Sequence, residues 1–268
     1  MDRIAVIAGA GELPFLIINK IQKKRKAILV LALKGITNKE ITKLSDRVYW
    51  LHLGEIEKLI TILKESGIDK LIFSGKIDKK LLLLKNCHFD NKAKQFLSKM
   101  EDKGDLSLLG TLANIFEKEG IELLSPYLYL NSYLVGKGTL SKKKPSAAEM
   151  IDINLGWKIA KNIAHLDIGH TVVVKEGIIF AVESIEGTDS TIRRGGKLAR
   201  GGAVVVKVAR PNQDSRFDHP PVIGLDTLKV SSEAGISAIA FEAEKTIVLE
   251  KKSLIKGCNA RNIALIGI

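Results

Sequence analysis

Arg3-Ile-Ala-Val-Ile-Ala-Gly-Ala-Gly-Glu-Leu-Pro14 is the stretch that decides the fold. Arg3–Ala8 is apolar after its first residue and reads as a buried strand. The strand ends in Gly9-Ala-Gly-Glu-Leu-Pro14, and a helix pattern follows to about Lys24. Working outward, further strands are predicted at Ala27–Leu33, Val48–Leu53, Lys70–Ser74 and Ile121–Leu124. Helices are predicted between them at Glu55–Ser66, 78–84, Asn91–Lys99 and Ser107–Glu119, with Asp105 as the N-cap of the last. Strands that alternate with helices imply a parallel, doubly wound sheet.

The fold class is therefore α/β. A Rossmann-like domain that binds nucleotide or substrate is expected over residues 1–131. The glycine-, lysine- and proline-rich segment Gly136–Pro145 suggests a linker over 132–146, or a loop at the domain junction. A mixed α/β catalytic domain is expected over 147–268. It opens on an amphipathic helix, Ala147–Ala164, and continues with a hairpin of Val172–Val174 and Ile178–Val182 turning at Lys175-Glu176-Gly177. Val204–Val208 reads as another strand. Ser232–Ala234, Ala238–Phe241 and Thr246–Leu249 suggest one short helix and further strands.

Two acidic clusters carry the chemistry. Gln213-Asp-Ser-Arg-Phe-Asp-His-Pro-Pro-Val-Ile-Gly224 places Asp214, Arg216 and Asp218 at alternate positions, on one face if extended. Such a segment suits a metal ion or a phosphate; a solvated loop is the plainer alternative. Upstream, the second hairpin strand runs into Glu183, Glu186, Gly187, Thr188 and Asp189, then Arg193-Arg194. The three carboxylates recur every third residue and would share a face on a helical turn. They suit a hydrated divalent cation beside an anionic substrate, or Thr188 or Asp189 simply caps a helix. Lys207 is a candidate charge clamp or simply a surface lysine, Asp167 a turn residue or ligand, and His170 a general acid or base or plain structure.

The glycine loop needs separate weighing. Its third glycine position is Pro14, and the second strand ends Leu31-Ala-Leu-Lys34 with no acidic residue for a ribose. That argues against NAD. The loop Gly9, Ala10, Gly11, Glu12, Leu13, Pro14 still offers backbone N–H groups to an anion, or is only a tight turn.

Lysine and arginine number 42 against 30 aspartates and glutamates, a formal charge of +12 over 268 residues. This suits a polyanionic partner, but aromatics are not interleaved with the basic runs, so nucleic acid is not expected. Cys87 and Cys258 are too far apart in sequence for a metal pair, and the five histidines form no zinc signature. No apolar run reaches membrane-span length, and a cytoplasmic location is expected.

The motifs Gly9–Pro14, Phe73-Ser-Gly75, Lys103-Gly-Asp105, Leu166–Gly169, Ala181–Asp189 and Gln213–Gly224 recur in one order. On them the chain resembles the LpxI family of UDP-2,3-diacylglucosamine pyrophosphatases over nearly its whole length. The resemblance implies two α/β domains with substrate between them. It also implies divalent-metal hydrolysis of UDP-2,3-diacylglucosamine to UMP and 2,3-diacylglucosamine 1-phosphate (lipid X), in the lipid A pathway of Gram-negative bacteria. The family's essential aspartate falls on Asp218 by the Arg-Phe-Asp match. Two departures are Pro221, which looks inserted, and His170, where the family usually has Gln.

These readings together give Asp218, Arg216 and Lys207 as catalytic residues. Gly9, Ala10, Gly11, Glu12, Leu13, Pro14, Gly75, Lys103, Asp105, Thr188 and Gln213 are expected to bind substrate. Asp218, Asp189, Glu186 and Glu183 are expected to hold Mg²⁺ or another divalent cation. The lipid-linked UDP-sugar is the expected partner; peripheral contact with the inner membrane and a homodimer stay open. A non-catalytic nucleotide-sugar-binding protein is the rival reading.

Overall fold

A run of branched apolar residues forms a strand wherever the chain can cover it from both sides, and Arg3–Ala8 (β1) is the centre of such a sheet. A computed structural model describes residues 3–24, 26–77, 89–98, 105–211, 214, 216 and 220–268. It divides into two compact units: one holds the chain through Asn131 together with Asp214 and Arg216, and the other begins at Ser132.

In the first unit β2 (Ala27–Leu33), β3 (Val48–Leu51), β4 (Lys70–Ser74) and β5 (Glu122–Leu123) join β1 in the order β3-β2-β1-β4-β5, all parallel. The helices are α1 (Leu13–Lys23), α2 (Ile56–Glu65), α3 (Asn91–Ser98), α4 (Asp105–Lys118) and the short α5 (Tyr127–Leu130). Ile17, Ile18 and Ile21 recur at helical spacing on α1 and are fully buried where α1 packs on β1, β2 and β4. Ala5, Ile7, Leu31, Leu71 and Phe73 form one cluster with Leu59 and Leu63 of α2 and Phe116 of α4. The rings of Phe73 and Phe116 lie 5.9 Å apart. Each buried Leu, Ile or Phe of this cluster contributes about 1.5–3 kcal/mol over exposure.

In the second unit the six-stranded order is β6-β13-β11-β9-β7-β8. The strands are β6 (Gly138–Thr139), β7 (Thr171–Lys175), β8 (Ile178–Val182), β9 (Val204–Lys207), β11 (Ala238–Phe241) and β13 (Ala264–Gly267). A two-stranded pair, β10 (Val222–Ile223) and β12 (Ile247–Val248), stands beside it. β9, β11 and β13 are parallel; β6, β7 and β8 make the sheet mixed. Alternate residues part the sheet into two faces. Val172, Val174, Val204 and Val206 pack on Ile153, Ala160 and Ile163 of α6 (Ala147–His165). Val173, Val205, Ile239 and Leu265 pack on α7 (Thr188–Ala199), α8 (Leu225–Glu233) and α9 (Lys251–Ala260). Ser146 and Glu149 close a reciprocal capping box at the start of α6, and Asp152 accepts the hairpin-tip N–H groups of Glu176 and Gly177 at 2.8 and 2.7 Å.

The expected 132–146 linker is not free chain. Gly138 and Thr139 pair antiparallel with Gly267 and Ile266, and the Leu265 N–H donates to the Ser141 hydroxyl at 2.7 Å. The short helix at Ser232–Ala234 is the tail of α8, while α9 and β13 have no counterpart in the sequence reading. Helix α4 starts at Asp105 itself rather than after it. The expected helix over 78–84, Cys87, Lys103, Gln213 and Asp218 lie outside the described residues.

Candidate active site

In an open parallel sheet, ligands gather past the carboxyl ends of the strands where the strand order reverses. Here that point lies between β1 and β4. The Gly9 N–H donates to the Ser74 carbonyl at 2.7 Å, and Ala10 and Lys76 exchange backbone bonds of 2.8 and 2.9 Å. The Thr37 hydroxyl, from the loop after β2, donates to the Ala8 carbonyl. Two glycines make this clasp possible. A Cβ on Gly9 would stand 2.7 Å from the Lys76 carbonyl oxygen, and one on Gly75 (φ +89) 2.8 Å from that of Ala10. Gly75→Ala should therefore lower the melting temperature by several degrees, read by calorimetry; an unchanged transition would show that the clasp is loose.

The clasp redefines the loop's role. The Gly9 and Ala10 N–H groups are committed to protein partners, so an anion would meet the loop from Gly11 onward. Leu13 and Pro14 are buried, with Pro14 against Gly75, whereas Gly11 and Glu12 are exposed. Two shallow polar hollows of about 260 and 440 Å³ lie at the opposite ends of the strands, around Arg3, Arg47 and Lys26, away from this turn.

The second unit gathers charge at the carboxyl ends of β9 and β11. Because β7 runs antiparallel to β9, Thr171 lies opposite Lys207, and the Glu183 N–H donates to the Thr171 carbonyl at 2.8 Å. Three polar residues thus stand side by side across three strand ends. Glu183 is 5% exposed and Lys207 7%. The Glu183 carboxylate accepts from the Thr188 hydroxyl at 2.9 Å and from the His170 N–H at 3.2 Å, with the His170 ring nitrogen 3.9 Å away. Burial pushes this carboxyl up. The charges of His170 and Lys207, with the hydroxyls of Thr171 and Thr188, outweigh that and hold it below its ordinary value. The Lys207 ammonium donates to the Val222 carbonyl at 3.0 Å and so reaches the end of the run that carries Asp218.

The neighbouring charges pair in the same way. Glu242 accepts from Lys161 at 3.0 and 3.2 Å and from the Ala209 N–H at 2.8 Å. Asp167 is left-handed (φ 54) and pairs with Arg210 at 2.9 Å. Neither pair is legible in sequence, since 81 residues separate the first partners and 43 the second (242 − 161 and 210 − 167).

The acidic triplet does not share a helical face. Strand β8 ends before Glu183 and α7 begins at Thr188, with Gly187 (φ 79) at its N-cap and no side-chain cap from Thr188 or Asp189. Glu186 turns to Arg194 at 2.5 Å and to the Thr191 hydroxyl. Burial pushes its carboxyl up, but Arg194 holds it below the usual range. Asp189 is exposed on the first turn of α7. Among the described residues, no group of three or more His, Cys, Asp or Glu side chains converges to hold a metal ion.

Arg216 and Asp214 do not alternate along a strand. Arg216 sits in a turn, its N–H donating to Asp214 Oδ1 at 3.0 Å and its Nε and Nη2 gripping the same carboxylate at 2.6–3.1 Å. Nη1 donates to Glu117 of α4. Hydrogen bonds from that guanidinium hold Asp214 below its ordinary pKa. Two carboxylates thus engage the guanidinium, which fits a fastening of the loop better than the expected contact with phosphate.

Fold and side chains define a class: a two-unit α/β protein with polar loops at the carboxyl ends of each unit's parallel strands. The N-terminal domain model of the LpxI family matches residues 3–133 and the C-terminal domain model residues 136–266, so the chain belongs to the LpxI family. It is 28% identical over 278 residues to the UDP-2,3-diacylglucosamine pyrophosphatase LpxI of Caulobacter vibrioides, covering 100% of this chain and 98% of that one. Among solved structures it is similar to the biotin carboxylase domain of a thermophilic 2-oxoglutarate carboxylase (TM-score 0.28, 15% identity, 65% of this chain and 34% of that one). It is also similar to N5-carboxyaminoimidazole ribonucleotide synthetase from Thermotoga maritima (TM-score 0.24, 14% identity, 69% and 41%). The chain thus spans well under half the length of these two.

Proposed function

We propose that this protein hydrolyses the diphosphate of UDP-2,3-diacylglucosamine to UMP and 2,3-diacylglucosamine 1-phosphate, a step of lipid A biosynthesis. The observation that carries the reading is the match of both LpxI domains in order, end to end. Diphosphate hydrolysis asks for a water in line with phosphorus and for neutralised charge on the leaving phosphate. Asp218 is the residue proposed to orient that water. Its neighbour Asp214 is engaged by Arg216, and the proposal for Asp218 rests on the Arg-Phe-Asp match of the family resemblance. Lys207 supports the run from its Val222 end. Gly11 and Glu12, at the mouth of the first unit's turn, are proposed to meet the nucleotide half.

Mg²⁺ commonly binds through one or two carboxylates plus substrate phosphates, without an all-protein cage. With Glu183 and Glu186 held by internal partners, Asp218 and Asp189 are the carboxylates proposed to hold it. When bound, such a cation supplies charge neutralisation and a more acidic water. The proposed location is cytoplasmic, peripheral to the inner membrane. No helix of the described residues is long and apolar enough to cross a membrane.

The test is incubation with UDP-2,3-diacylglucosamine, with and without Mg²⁺, followed by mass analysis. UMP and the sugar 1-phosphate are expected with Mg²⁺ and not in EDTA. Recovery of intact but tightly bound substrate would establish a non-catalytic nucleotide-sugar-binding protein instead. Full activity in EDTA would remove the cation alone.

A further inference from the structure

Large apolar side chains left in water forgo the free energy of burial, so a group of them beside a polar site calls for an occupant. Leu166, Ile168 and Ile185 are 66%, 45% and 53% exposed. They sit on two loops that touch. A Cβ on Gly169 would stand 2.3 Å from the Glu183 carbonyl oxygen, and the His170 N–H donates to the Glu183 side chain. Ile168 and Ile185 therefore flank the joint where Gly169 meets Glu183. Leu166 and Ile168 bracket Asp167, which is left-handed although not glycine, a conformation that L side chains adopt at a cost. Arg210 fastens that strained residue. The turn thus holds two apolar neighbours in solvent, at the end of the sheet where Glu183, Lys207 and Glu242 gather.

We infer that Leu166, Ile168 and Ile185 form the apolar seat for the acyl chains of the substrate, next to the charged strand ends. This rests on the proposed hydrolysis of a diacylated UDP-sugar. The occupant follows from continuity: a ligand with a charged diphosphate and two hydrocarbon chains needs polar and apolar surface side by side, and these loops adjoin the charged strand ends.

The experiment compares the wild type with a triple Leu166→Ser, Ile168→Ser, Ile185→Ser variant on two substrates dispersed in detergent. One carries long acyl chains and the other, otherwise identical, carries acetyl groups. All three positions are surface positions, so the fold should persist, checked by circular dichroism. A fall in kcat/KM of about tenfold or more on the long-chain substrate is expected, with the acetyl substrate unaffected. An equal fall on both, or none on either, would overturn the seat. A loss confined to substrate presented in anionic vesicles would also overturn it, by assigning the three residues to the bilayer. Failure of the wild type on both substrates would instead refute the hydrolase reading.

Discussion

Asp218→Ala should reduce UMP release by about a thousandfold or more while substrate binding and the melting temperature stay near those of the wild type. Asp218 is singled out by the Arg-Phe-Asp match, and its neighbour in the motif provides the contrast. Asp214 accepts three side-chain bonds and one backbone bond from Arg216 and is held ionised by them, so it serves to shape the turn. Asp214→Asn should therefore weaken that turn and lower the rate modestly, whereas loss at 218 should be nearly complete. Initial rates of UMP formation for both variants decide the matter. Comparable losses would mean that the two aspartates act together, and full activity in Asp218→Ala would end its catalytic assignment.

Lys207→Met should be the most damaging change in the second unit. It leaves the buried Glu183 carboxylate with a weaker counter-charge and breaks the bond to the Val222 carbonyl. Leaving a buried acceptor without its donor beside a less compensated carboxylate costs about 1–3 kcal/mol. A second change, Glu183→Gln, should recover much of that stability, because no unpaired charge then remains. It should not recover activity if the ammonium itself is needed. Chemical denaturation of the two single variants and the double variant measures the coupling; additive losses would show that the charges act independently.

The acid limb gives a separate check. The Glu183 carboxyl is held below 4.5 in the fold and returns to about that value on unfolding. Its contribution is therefore complete above pH 4.5 and is lost as the pH falls through the lower, folded value. Glu183→Gln should flatten that part of the stability profile. An identical acid limb in the variant would place the effect on other carboxyls.

Much of the architecture was legible because single residues dictate it. The apolar Arg3–Ala8 run, the Gly9 turn and the Glu176-Gly177 hairpin tip each have few alternatives. Short or polar elements were not legible. Helix α9 buries only Leu254 and Cys258, a stripe too narrow to read, and β6 is two residues in a glycine- and lysine-rich stretch. Lys207, Thr188, Glu183 and His170 were each named from sequence, and the sheet brings them together. Their roles were harder to read, because partners decide them. Glu186 is engaged by Arg194, and Arg216 by Glu117, 99 residues away. The three-residue spacing of Glu183, Glu186 and Asp189 misled because it spans a strand end, a turn and a helix start, where no single period applies.

The brief pairing of Gly138 and Thr139 with β13 also guards the molecule against its own copies. Without that cover, β13 would present a row of bare peptide groups, and such an open margin recruits further chains by strand addition. The cut between halves therefore belongs before Ser132: a fragment that started at the capping box would carry a self-templating border into solution.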